Sequence, residues 1–285
     1  MNILAAISDI PKKINLPKYF LEFRKYQSMV MHNNLILLCG LTTNLKDCFV
    51  LEKRSLSLHS TFNRGRYLAV PISTNSGIFI FGGLHDQTTF EYLPKDSTTW
   101  ILGNNDIPEG IRDTCAIAIN SDQEILLIGD INPFFNRRIL KFDVKNHTFE
   151  EMSTKLIIGR SGHRCAYVPG TKKIIITGGY DCHDDMDFTN STEILDTENG
   201  TVTLGNPMNI RRADHGIGIL TVNDEDRLAV FGGRNFQNGS LDSVETFNTQ
   251  TQMWEMTDMK LDQKRHGFGF LSVKHEYLSK INNKS

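Results

Sequence analysis

One loop of this chain gathers the side chains used for metal and proton chemistry: Asp181, Cys182, His183, Asp184, Asp185, Met186 and Asp187 follow one another. Carboxylates beside an imidazole can hold a divalent cation. A polar run of acids is more often the composition of a solvated connection, and no metal or cofactor is expected. Three histidines, His163, His215 and His266, each open a strand-like segment and could face one channel. A repeated histidine is more simply a satisfied core or rim residue. Arginines recur in the same way: Arg64, Arg112, Arg160 and Arg212 each stand three residues ahead of a strand. They suit a basic rim for acidic peptide side chains, or structural ion pairs with acids of a neighbouring unit, which is the plainer account. Aromatic and basic residues also meet in otherwise polar loops. His85, Phe134, Phe135, Arg137, Tyr180, His183, Arg234 and Phe236 have the composition of an interface hot spot. The competing account tucks the rings back over their own strands. No Tyr-Cys pair with flanking histidines suits copper and no Glu-to-Asp-to-His metal spacing stands out, so an enzyme is not expected.

The elements that must carry these residues are repeats. Short apolar runs end at Cys39-Gly40, Gly82-Gly83, Gly129-Asp130, Gly178-Gly179 and Gly232-Gly233, at intervals of 43, 47, 49 and 54 residues. Nine residues further structure each unit, from Phe49 to Leu58, Glu91 to Trp100, Leu140 to Phe149, Glu193 to Val202 and Glu245 to Trp254. A period near fifty with four short Ile-, Val-, Phe- and Thr-rich strands per unit predicts four-stranded antiparallel blades around an axis, an all-β propeller. The glycine pairs Gly82, Gly83, Gly178, Gly179, Gly232 and Gly233, with Gly129, let the backbone turn and neighbouring blades approach. Trp100, Phe149 and Trp254 supply apolar surface to seal one blade on the next, so these are structural positions.

Glycine pair, spaced Glu and Trp together resemble the kelch repeat, most closely over 78–100 and 228–254. The resemblance covers residues 25–273, with Cys39, Leu58, Asp130 and Val202 standing where that pattern has Gly or Trp. It implies a kelch-type β-propeller with five complete repeats and a partial sixth beginning at His266. Residues 1–24 then read as a remnant of a preceding blade and 274–285 as a polar tail. It also implies a non-catalytic protein-binding module whose partner sits on the loop face. Capture of substrates for a Cullin-type ubiquitin ligase, directly or through a BTB protein, is the expected use in the ubiquitin-like conjugation pathway. An actin or cytoskeletal scaffold is the alternative, and a kelch-fold enzyme (sugar mutarotase-like or metal-dependent) the third.

Composition narrows the classes further. The net charge of −2 and pI near 6.5 give no global attraction to nucleic acid or to an anionic membrane. The longest apolar runs fall far short of the roughly 20 residues a membrane helix needs. Five cysteines without a CxxC pair read as reduced thiols in strands, and with them a cytoplasmic location is expected. The sequons at Asn146, Asn190, Asn199 and Asn238 carry little weight on that reading.

Overall fold

The apolar runs that end in glycine become strands covered on both faces. Along Gly77–Phe81, Ile78 and Ile80 pack against the preceding sheet while Phe79 and Phe81 pack against the following one. Alternate side chains leave a strand on opposite faces, so a strand wedged between two sheets must be apolar throughout. The computed structural model describes residues 3–4, 28–33, 35–40, 45–52, 55–131, 136–181, 187–222 and 225–273.

Five antiparallel sheets follow one another along the chain. Blade 1 is Ser28–His32, Leu35–Cys39, Asp47–Glu52 and Ser55–Thr61; blade 2 is Val70–Thr74, Gly77–Phe81, Phe90–Pro94 and Ile101–Leu102. Blade 3 is Cys115–Ile119, Glu124–Asp130, Asn136–Asp143 and Thr148–Glu151; blade 4 is Arg164–Tyr167, Lys173–Thr177, Thr192–Asp196 and Val202–Gly205. Blade 5 is Gly216–Val222, Glu225–Phe231, Gly239–Asn248 and Met253–Arg265, with Arg234–Asn235 added on Gly239–Asn248. The first strands are neighbours around the axis, and no helix occurs among the described residues. This is a five-bladed β-propeller. The expected partial sixth repeat is corrected: after Arg265 comes only the two-residue strand Ser272–Val273, paired with Ile3–Leu4. The segment instead closes on blade 5, where Phe270 stacks on Phe231 with centroids 5.1 Å apart. Apart from Ile3–Leu4, residues 1–24 lie outside the described residues, as does the tail 274–285.

Glycine is required where blades meet. Gly82 and Gly178 have φ of +57° and +58°, and a Cβ there would come 2.1 Å from the Ile111 carbonyl oxygen and 2.3 Å from that of Arg212. The second glycine of each pair donates its N–H to the same carbonyl of the next blade. Gly83 bonds Ile111 at 3.0 Å and Gly179 bonds Arg212 at 2.9 Å. Gly233 repeats the contact with Arg265 at 2.9 Å, which anchors the closing segment.

A buried ion pair holds each of these turns from within. Arg160 pairs with Glu193 and Arg212 with Glu245, each at 2.7 Å, and all four side chains are fully buried. Each arginine also donates to the carbonyl of the first glycine, Gly178 or Gly232, and to a serine, Ser191 or Ser243. Each glutamate accepts from two successive backbone N–H groups, those of Ile157 and Ile158 or of Asn209 and Ile210. In blade 2 the same place is taken by Arg66, with Glu91, Gly82 and Thr89 as partners. Blade 3 has Ile111 at the arginine position and Leu140 at the glutamate position. There Arg138 pairs with Asp130 at 3.1 Å, so the aspartate that replaces the second glycine supplies the missing acid.

The expected basic rim is therefore corrected. Arg160 and Arg212 are interior, Arg64 is an exposed partner of Asp86, and Arg112 is half-buried one residue after Ile111. Counting back from the strands placed Arg64 two residues and Arg112 one residue out of register with Arg160. His163 and His215 do not face the channel either. Both are buried, and their Nε2 atoms bond the preceding blade, at the Ile128 carbonyl and the Thr177 hydroxyl, both 2.8 Å. His266 sits in another register and bonds Ser240 at 2.8 Å.

The apolar cores lie between blades. Trp100 is buried against Phe62, Val30 and Leu37 of the preceding repeat and donates to Ser60 at 2.9 Å. Trp254 packs with Val168, Ile175 and Met208 of blade 4, and half-buried Phe149 joins the ring cluster of Phe79, Phe81 and Phe90. The cysteines correct the reduced-thiol reading: Cys39 is bonded to Cys48 across adjacent strands, and Cys115 to Cys165 across blades 3 and 4. Cys182 lies outside the described residues.

Removing one member of a buried pair leaves an uncompensated charge. Arg212→Ala or Glu245→Ala should each cost about 3–5 kcal/mol in urea unfolding, against about 0–1 for the exposed Arg64→Ala. Equal effects at the two sites would sink the assignment. The histidines give a pH signature. Burial and the nearby Arg160 hold His163 down at about 3, and burial with Arg164 and Arg212 holds His215 well below its ordinary 6.5. Both stay neutral in the fold while the unfolded chain takes up protons below about 6.5. Their contribution is thus whole above that value and lost as pH falls toward the folded values. Unfolding midpoints should fall between pH 6.5 and 4, and the fall should shrink in a His163→Gln, His215→Gln variant.

Candidate functional site

Blades 2 to 5 enter their first strands through a residue in the left-handed region, and Gly267 repeats the conformation after blade 5. Leu68, Asp113, Gly162, Asp214 and Gly267 have φ between +54° and +62° and stand two residues after Arg66, Ile111, Arg160, Arg212 and Arg265. Asp and Gly are among the residues that tolerate this conformation best. The kink turns the chain from the interior ion pair to the axis. Directly after each glycine pair the chain runs back beside it: Leu84 N–H donates to Tyr67, Tyr180–Asp181 pairs with Arg160–Ser161, and Arg234 exchanges both backbone bonds with Ala213. One face thus carries, blade by blade, a left-handed residue, the residue before it and the residue after the glycines.

These positions line a cavity of about 440 Å³ at the mouth of the axis. Its walls are Tyr67, Leu68, Ile131, Tyr180, Phe188 and Phe236, and its polar groups are Asp113, Ser161, Asp214 and Arg234. A mostly apolar recess with a few convergent polar groups is the usual form of a ligand site. Below it, the first strands and the segment Phe268–Phe270 enclose an axial cavity of about 230 Å³ reached by Arg164, and Leu68 and Asp113 border both spaces.

Asp214 is almost fully buried and accepts from Tyr180 Oη at 3.0 Å and from Arg234 Nε at 2.9 Å. The Arg234 guanidinium also lies over the Tyr180 ring, 5.5 Å from its centroid, so it is engaged on two sides. Phe188 meets Tyr180 on one side and Phe236 on the other, with centroids 4.9 and 4.7 Å away, while Phe236 is 76% exposed. Ser161 is fully buried, and its hydroxyl has no hydrogen-bond partner among the described residues. Asp113 opens only onto the two cavities. Burial and the Asp214 charge push its carboxyl up to about 7, against the pull of Arg164, a bond from the Gly162 backbone and Arg234.

Of the residues expected at a partner face, Tyr180, Arg234 and Phe236 come together here. His85 is exposed on a blade 2 loop, and exposed Arg137 donates to the Leu156 carbonyl, both away from the cavity. Phe134, Phe135 and His183 lie outside the described residues. Asp113, Asp214 and Ser161 were not anticipated. Their signal was an Asp or Gly two residues past the buried arginine, visible once that arginine is placed correctly. No group of three or more His, Cys, Asp or Glu that could hold a metal occurs among the described residues.

No family model matches the sequence, and no curated protein matches it. Among solved structures, that of YjhT superimposes with a TM-score of 0.70 at 13% identity, covering 87% of this chain and 87% of that one. At that identity the likeness speaks for the propeller fold alone.

Proposed function

We propose that the propeller is a non-catalytic binding module that takes its partner at the mouth of the axis, by a cationic side chain or amine set between the aromatic walls onto Asp113. The observation that carries this is the pair of carboxyls at the base of an aromatic recess, Asp214 bonded by the side chains of Tyr180 and Arg234 and Asp113 by the Gly162 backbone. Tyr180 and Arg234 both donate to Asp214 Oδ2, whereas Asp113 is pushed toward neutrality by its burial beside that charge. A cation would remove the repulsion and restore the ionised form. An anion would find Arg234 committed to Asp214 and Arg164 donating to the His163 carbonyl at 2.7 Å. Phe236 and Phe188 would supply the apolar contact and Phe236 the exposed anchor. The kelch-like repeat pattern adds partner classes by analogy, substrates of a Cullin-type ligase or a cytoskeletal filament, with a lysine- or arginine-bearing surface as the group recognised.

A second reading has one observation in its favour. A carboxyl titrating near neutrality at the base of a recess is suited to general acid–base work, as in a sugar-mutarotase-like kelch enzyme. Faster ring opening of free sugars by this protein, lost in Asp113→Asn, would carry that reading over the first.

The binding reading has a pH test with a definite sign. Only ionised Asp113 attracts a cation, and its ionised fraction rises as pH passes through about 7. Affinity for a lysine-containing peptide should therefore rise about tenfold from pH 6 to pH 8, a window straddling that value. Acetylation of the lysine should abolish binding. Asp113→Asn should weaken binding at pH 8 and flatten the profile, and Phe236→Ala should weaken it at every pH. A flat profile for the unaltered protein, or full affinity in Asp113→Asn, would remove the cation from the proposal.

A further inference from the structure

Four of the five cysteines are paired, although 9 and 50 residues separate the partners. Cys39 and Cys48 are brought opposite one another by strand register, and Cys115 and Cys165 by the approach of two blades, with Cα atoms 6.0 Å apart. All four are buried. Disulfides of this kind persist in oxidising compartments and are rare in the cytosol. On that route an Asn-x-Ser/Thr triplet becomes an acceptor for a glycan if it stands at the surface with its amide uncommitted.

Of five such triplets, that at Asn283 lies outside the described residues, and the other four divide by position. Asn146 and Asn199 occupy the same place in blades 3 and 4, on the turn between the third and fourth strands. In each, an aspartate closes the turn: Asp143 accepts from the backbone N–H groups of residues 145 and 146, and Asp196 from those of 198 and 199. Both asparagines are exposed, as are the threonines Thr148 and Thr201 that complete the triplets. Among the described residues neither side-chain amide nitrogen donates a hydrogen bond, while Asn199 Oδ1 accepts from the backbone N–H and the hydroxyl of Thr201 within its own triplet. These turns lie at the end of the sheet opposite the left-handed entries and the loops after the glycines, so a glycan there leaves the mouth open. Asn190 differs, being half-buried with its amide donating to the Met208 carbonyl at 2.8 Å. Asn238 is exposed but stands two residues from Phe236, on the mouth side.

We infer that this chain matures in an oxidising compartment and carries N-linked glycans at Asn146 and Asn199. This sets aside the cytoplasmic expectation and with it the Cullin-ligase and cytoskeletal partner classes, while the cation site at the mouth stands or falls separately. The test uses full-length protein from its native cells, unfolded in denaturant and alkylated without prior reduction, then treated with peptide N-glycosidase in ¹⁸O water before peptide mapping. The expected result is ¹⁸O-aspartate at 146 and 199, unlabelled Asn190 and Asn238, and unalkylated Cys39, Cys48, Cys115 and Cys165. Intact disulfides with unmodified Asn146 and Asn199, or label at Asn190 or Asn238 instead, would overturn the glycan assignment. Alkylated free thiols at the four cysteines would overturn the compartment and the glycans together. Asn146→Gln and Asn199→Gln should each lose the mass of one glycan with unchanged unfolding, and a full-mass variant would overturn that site.

Discussion

One peptide carbonyl per joint organises this propeller. In three of the joints, the oxygens of Ile111, Arg212 and Arg265 receive the N–H of the second glycine of the preceding blade while the first glycine presses against the same atom. Neither contact survives a Cβ, so two glycines in the left-handed region are demanded at one spot. At one of these joints the residue that offers the carbonyl, Arg212, also reaches inward as the buried arginine of blade 5. Backbone and side chain of one residue therefore serve two blades at once. The inter-blade cores of Trp100, Phe149 and Trp254 depend on that spacing, since an apolar seal works only where two sheets meet at contact distance.

The site is a by-product of the same joint. After offering its carbonyl outward, the chain must turn to the axis within two residues, and a left-handed residue makes the turn. Its backbone is thus dictated, yet its side chain carries no structural duty beyond tolerating that conformation. Leu68, Asp113, Gly162, Asp214 and Gly267 share a geometry and differ in chemistry. Where two of the five are aspartates, the mouth gains two carboxyls, with Gly162 between them leaving room for the Tyr180 ring.

The fold was largely legible because its main constraint is written in glycine. The near-fifty period and the paired glycines mark the joints, and four strands per unit follow from the runs between them. The site was legible in part. Tyr180, Arg234 and Phe236 stood out because large aromatics and arginine in polar loops are unusual. Asp113, Asp214 and Ser161 did not, because sequence register was counted from strands whose starts shift by one or two residues. That slip moved Arg64 into the place of Arg66 and hid the position two residues on. Blade 3 was hard for a different reason: Asp130 looks like a decayed glycine, and only Arg138 beside it shows that the acid has changed strands. The cysteine pairs were beyond reach, since Cys115 and Cys165 meet only once two blades have packed.

The division between dictated and free positions also explains why charge could be placed at the mouth without loss of the fold. The interior pairs are fully buried, with Glu193 and Glu245 each accepting from an arginine and two backbone N–H groups. An unpaired acid in that setting would cost several kcal/mol, on the order of what breaking a buried pair costs. Asp113 meets a milder penalty because it borders water in both cavities, and partial protonation near neutrality relieves much of the strain. A carboxyl left in that state is less a defect of packing than a held-open interaction. A cation from solution can add to the bond it already accepts from the Gly162 backbone.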